Sequence, residues 1–74
     1  MFDISGVKER IREVRVERGV SRWKLADTLN VSYNAISKWE NQETFATTVP
    51  SIDHLMELCE VLDTTPNYIL LGKE

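Results

Sequence analysis

Between Leu29 and Ser32 the chain has two residues, Asn30 and Val31, in which to leave one helical pattern and enter another. Ahead of them, Leu25, Ala26 and Leu29 repeat at helical spacing behind Ser21, a good N-cap. Beyond them, Ser32 caps a pattern that carries Ala35, Ile36 and Trp39. After glycine, asparagine is the residue that best tolerates the left-handed backbone at a helix end, so Asn30 suits the turn. So short a link forces the two helices to cross steeply. The crossing needs a small residue where the backbones meet, and Ala26 on the core face supplies it.

Apolar spacing is helical elsewhere too, and no alternating run is long enough for a strand. Val7, Ile11 and Val14 form the stripe of a first helix, with Ile4 and Phe2 extending it and Gly19 ending it. A fourth helix is expected to start near Pro50-Ser51, since proline fits a first turn. Its stripe reads Ile52, Leu55, Met56, Cys59 and Leu62. A short fifth opens at Thr65-Pro66, carries Tyr68, Ile69, Leu70 and Leu71, and stops at Gly72. The expectation is one all-α domain over residues 1–74, a compact five-helix bundle. Residues 41–50, NQETFATTVP, form a long link, because connections in bundles usually run 2–8 residues. Within it, Glu43 is the only charge and Phe45 the only aromatic.

A chain of 74 residues buries too little surface for a large core. Cys59 has no second cysteine to pair with, and the lone His54 argues against structural zinc. No metal or cofactor is expected, which leaves helix packing and self-association to supply stability. Leu58 and Val61 fall off the main stripe of the fourth helix, and the fifth is nearly all apolar. Leu58, Val61, Tyr68, Ile69 and Leu70, within about residues 51–71, are therefore the candidate interface of a homodimer, with a simple lid on the core as the competing reading. With no apolar run of about 18 residues and no leader pattern, the chain reads as cytoplasmic, with no membrane partner. It has no nucleophile–base pair, metal-binding cluster or Gly-rich phosphate loop, so no catalytic residue is assigned and an enzyme is not expected.

The net charge is −3, but it is unevenly distributed. Residues 1–38 carry eight bases against five acids, and residues 39–74 only Lys73 against seven acids. A basic N-terminal half favours a polyanion, while the acidic half turns away from it.

On a helical wheel of residues 32–41, Tyr33, Ser37, Asn41, Asn34 and Lys38 occupy one arc, and Ala35, Ile36 and Trp39 the opposite one. A merely solvated face favours long charged residues, often Glu and Lys in pairs. This arc contains no acid. Its amide, ammonium and hydroxyl groups are those that read base edges or grip phosphates. A recognition helix inserts its N-terminal residues deepest, and Tyr33 and Asn34 stand at that end.

The run SRWKLADTLNVSYNAISKWEN resembles the phage-repressor (Xre/Cro-type) helix-turn-helix family, whose pattern is roughly S-Q-x-x-L-A-x-x-L-G-V-S-x-x-x-I-S-x-W-E-N. IREVRVERGV resembles that family's first helix and IDHLMELCEVLDTTPNYILLG its last two. By position, the resemblance implies that Tyr33, Asn34 and Lys38 read bases in the major groove of double-stranded DNA. It implies that Arg22, Ser32, Ser37 and Asn41 hold the DNA backbone. Arg22 stands where the family usually has Gln, and Arg15 and Glu40 match positions that form an ion pair in relatives. Departures are Asn30 and Gln42 in place of glycines, and a 42–49 loop about four residues longer than usual.

The function so implied is a homodimeric transcriptional regulator on a palindromic operator. An antitoxin or anti-repressor that binds a protein partner is the alternative. Control by concentration or by such a partner is expected, rather than by a small-molecule ligand. Trp23 lies outside the core arc beside Asp27 and receives no role.

Overall fold

The computed structural model describes residues 4–42 and 48–73, arranged as α1 (Ile4–Glu17), α2 (Arg22–Leu29), α3 (Tyr33–Glu40), α4 (Ile52–Val61) and α5 (Pro66–Leu71). The fold is all-α, as the spacing predicts. Four helices begin at a hydroxyl that accepts one of the orphan N–H groups of the first turn. Ser21 accepts from Lys24 N, Ser32 from Ala35 N, Ser51 from His54 N and Thr65 from Tyr68 N. Asn30 is left-handed at φ 56° and closes α2, with the Val31 N–H reaching back to Ala26 O at 2.9 Å. Asp63, at φ 53°, turns the chain after α4 in the same way, a role its sequence position does not announce. Pro50 precedes the Ser51 cap and so lies just outside the first turn of α4.

The core joins Val7, Ile11 and Val14 of α1 to Leu25, Ala26 and Leu29 of α2. Ile36 and Trp39 of α3, Leu55, Leu58 and Cys59 of α4, Leu62 at its C-cap and Ile69 of α5 complete it. Burial raises the Cys59 thiol pKa, which keeps it protonated and makes it an inert hydrophobe. Helix α1 packs on α3 and α5, while α2 bridges α3 and α4.

Three expectations about the apolar faces need correction. First, the buried stripe of α4 is Leu55, Leu58, Cys59 and Leu62 at i, i+3, i+4 and i+7, whereas Ile52 and Met56 are 73% and 54% exposed. The apolar residues of α4 span an arc wider than its neighbours cover, and the covered part excludes Ile52 and Met56. Second, Leu58 and Ile69 are fully buried within the single chain and present nothing to a second copy. Of the remaining interface candidates, Val61 is exposed, while Tyr68 and Leu70 are half-buried against the core. Third, Ile4 is exposed and does not extend the α1 stripe; Phe2 lies outside the described residues.

The bases of α1, with Arg18 just past its end, hold the fold together. Neither α4 nor α5 has a basic residue in its last turn, so their terminal carbonyls need donors from elsewhere. Arg18 supplies them to α4, donating to Leu62 O at 2.8 Å and Asp63 O at 3.0 Å. Arg10 does so for α5, donating to Ile69 O at 2.8 Å and Leu70 O at 3.1 Å. Lys8 is 1% exposed and its ammonium donates to Lys38 O, at the end of α3, and to Thr48 O near the end of the 42–49 loop. Burial lowers its pKa. The expectation that the basic half serves a polyanion therefore names too many residues, since Lys8, Arg10, Arg15 and Arg18 donate inside the domain. Most α1 donors are engaged inside the domain.

Candidate nucleic-acid interface

Helix α3 is fixed from beneath by an ion-pair cluster. Arg15 of α1 donates to Glu40 through Nε at 2.6 Å and Nη2 at 3.0 Å, and through Nη1 to Val20 O at 2.8 Å. Arg22, the first residue of α2, adds a third bond to Glu40 at 3.2 Å. Both Arg15 and Glu40 are buried, so the bidentate geometry compensates two charges removed from water. The ion pair implied by the resemblance is present, with Arg22 joined to it.

Arg22 also lies beside Tyr33 on the polar arc of α3. Hydrogen bonding to the Tyr33 side chain, followed by that to Glu40, raises the Arg22 pKa. Tyr33 in turn stacks on Trp23, ring centroids 4.4 Å apart and planes tilted by 32°. Hydrogen bonds thus run from Arg15 through Glu40 to Arg22, beside the Tyr33–Trp23 stack.

The opposite side of α3 is core: Ile36 and Trp39 are buried and Ala35 packs beside them. Trp39 also meets His54 of α4 at 5.4 Å between centroids, which ties α3 to α4. Asn34 and Lys38 are exposed one turn apart, and their side chains have no partner among the described residues. Tyr33 and Ser37 are half-buried on the same arc. Ser32 is exposed and accepts from Ala35 N at 3.1 Å; its hydroxyl hydrogen remains available to an acceptor.

Asn41 is the extended C-cap at φ −72°, ψ 120°, so its place on the α3 wheel does not apply. It lies beyond the helix and is exposed. Arg22 is half-buried and bonded to Glu40 at 3.2 Å, not a freely extended backbone clamp. In the 42–49 loop, the Thr48 carbonyl accepts from Lys8, and Thr44 and Thr47 lie outside the described residues.

The arrangement brings together Arg22, Ser32, Tyr33, Asn34, Ser37 and Lys38. It also adds Trp23, which is 71% exposed and which helical spacing alone leaves unassigned. A signal for it exists in the sequence: an aromatic near the start of each of two steeply crossed helices. Among the described residues, no group of acidic, His or Cys side chains is placed to hold a metal ion, and no helix is long and apolar enough to cross a membrane.

Neither the curated proteins nor the solved structures compared with the chain include a significant match. A family model described as helix-turn-helix matches residues 11–69, from the middle of α1 into α5. With capped α2 and α3, the tight Asn30-Val31 turn and the Arg15–Glu40 pair all inside that span, the chain belongs to the phage-repressor-type helix-turn-helix family of DNA-binding regulators.

Proposed function

We propose that this protein is a cytoplasmic, sequence-specific transcriptional regulator that places α3 in the major groove of duplex DNA and binds a palindromic operator as a homodimer. The observation that carries this reading is the acid-free arc of α3, where Asn34 and Lys38 stand exposed and uncommitted above a rigid base. Asn34 is suited to a bidentate bond with adenine and Lys38 to guanine O6 or N7. Tyr33 lines the same edge. Ser32, Ser37 and Asn41 are within reach of phosphates, and Arg22 combines support of Tyr33 with backbone contact.

Two substitutions separate base reading from backbone binding. Asn34→Ala relaxes preference at one base position, costing about 1–3 kcal/mol on the specific site. Arg22→Ala weakens specific and random duplexes alike and lowers the salt dependence. Titration of labelled duplexes at several salt concentrations reads both effects. Equal losses on specific and random DNA for both variants would contradict the assignment.

The homodimer is supported by apolar surface beside α4 and α5. Val49, Pro50, Ile52 and Leu70 rim an open groove of about 260 Å³ floored by Val7 and Leu55. Leu71 is exposed next to Leu70. Ile52→Glu puts a carboxylate in the first turn of α4, where the helix dipole tolerates it. The expected result is a folded monomer by sedimentation that no longer binds two half-sites cooperatively. An unchanged dimer would move the interface elsewhere.

A further inference from the structure

The reading face has an apolar element that hydrogen-bond logic does not use. Trp23 is the second residue of α2, and most of its indole is open to solvent although it stacks on Tyr33. Indole and phenol together make a continuous aromatic wall beside the N-terminus of α3. Its surroundings are polar and cationic. Arg22 borders it, Asn34 follows Tyr33, and Lys24 and Lys38 have no side-chain partner among the described residues.

A large exposed indole loses apolar hydration only if something covers it. No part of the described fold does. The neighbouring cations and amide favour a polyanionic partner. The major groove shows a protein one apolar group at its base edges, the C5-methyl of thymine. Tyr33 and Trp23 pack on each other at 4.4 Å between ring centroids, so the wall is set in place before binding and little side-chain freedom is lost on contact.

We infer that Trp23, packed on Tyr33, is a specificity-determining residue that covers a thymine methyl at one position of each half-site. The inference rests on the proposal that α3 enters the major groove. It adds a residue from α2 to the reading surface and names the base.

Deoxyuridine in place of thymidine removes that methyl and leaves the pairing edge intact. On a selected binding site, single dT→dU replacements are scanned across each half-site. The wild-type protein should lose about three- to tenfold in affinity at one thymine, the size of one buried methyl. Trp23→Ala should bind the dT and dU duplexes equally at that position and keep the preference read by Asn34. Trp23→Phe should restore part of the dT preference. Circular dichroism serves as a check on folding, which an exposed residue should not disturb.

A protein that selects a site yet shows no dU-sensitive thymine overturns the inference. So does a Trp23→Ala protein that weakens on dT and dU duplexes by the same factor, since that is the behaviour of a backbone contact. Absence of sequence-selective binding by the wild type would instead count against the DNA-reading function itself, so the two failures are distinguishable.

Discussion

Replacing Glu40 by glutamine will destabilise the domain by about 3–5 kcal/mol, the range found when one partner of a buried ion pair is removed. Glutamine keeps the shape and takes away the charge. Arg15 is then left as a buried cation with the Val20 carbonyl as its other acceptor, and Arg22 loses its anchor. Whole domains are stable by only about 5–15 kcal/mol. Each kcal/mol shifts the melting point of a chain this size by roughly 4–8 °C, so the variant should be largely unfolded at temperatures where the wild type is folded. Thermal and urea melts read the effect. Converting Arg15 and Glu40 together to methionine and leucine should cost far less, because no charge is then stranded. A Glu40→Gln domain as stable as the wild type would mean that the pair does not hold α1 to α3.

Leu58→Ala will cost about 2–5 kcal/mol through the cavity left in the core. Ile52→Ala, at an exposed position of the same helix, should stay within about 0.5 kcal/mol at protein concentrations low enough to leave the chain monomeric. The contrast tests the rotation of α4. A wheel drawn from sequence puts Ile52 in the stripe and leaves Leu58 outside it, so it orders the two losses the other way. Urea midpoints measured at two protein concentrations read both variants and separate core from interface, since a loss of subunit contact depends on concentration and a core cavity does not.

Most of the helical frame is legible because its signals are local. Ser21, Ser32 and Thr65 announce their helices with a hydroxyl three residues ahead of the N–H it accepts. Asn30 and Gly72 announce the ends of α2 and α5. Asn34 and Lys38 were legible as an exposed pair because a helix of eight residues leaves little choice once Ile36 and Trp39 point inward.

What sequence could not order was the tertiary use of residues already noticed. In α4, Leu55, Cys59 and Leu62 belong equally to a stripe that includes Ile52 and Met56 and to one that includes Leu58. Only the positions of the neighbouring helices decide. Lys8, Arg10 and Arg18 look like a polyanion-binding array, yet their acceptors lie 30 to 60 residues away in the chain. One argument from sequence would have found two of them. Helices α4 and α5 end without a basic residue in the last turn, so their carbonyls had to meet donors from another segment, and residues 8–18 are the basic one. The stacking of Trp23 on Tyr33 needed the crossing geometry itself.

Selection of bound duplexes from a random pool tests the DNA-reading surface most directly. A dimer presenting two α3 helices about one DNA turn apart predicts an enriched palindrome with half-sites roughly 34 Å between centres. Within each half-site, Asn34 and Lys38 predict adenine and guanine contacts, and the Trp23–Tyr33 wall a neighbouring thymine. A pool that stays random while binding falls steeply with salt would show phosphate attraction without base reading, and would contradict the role given to α3.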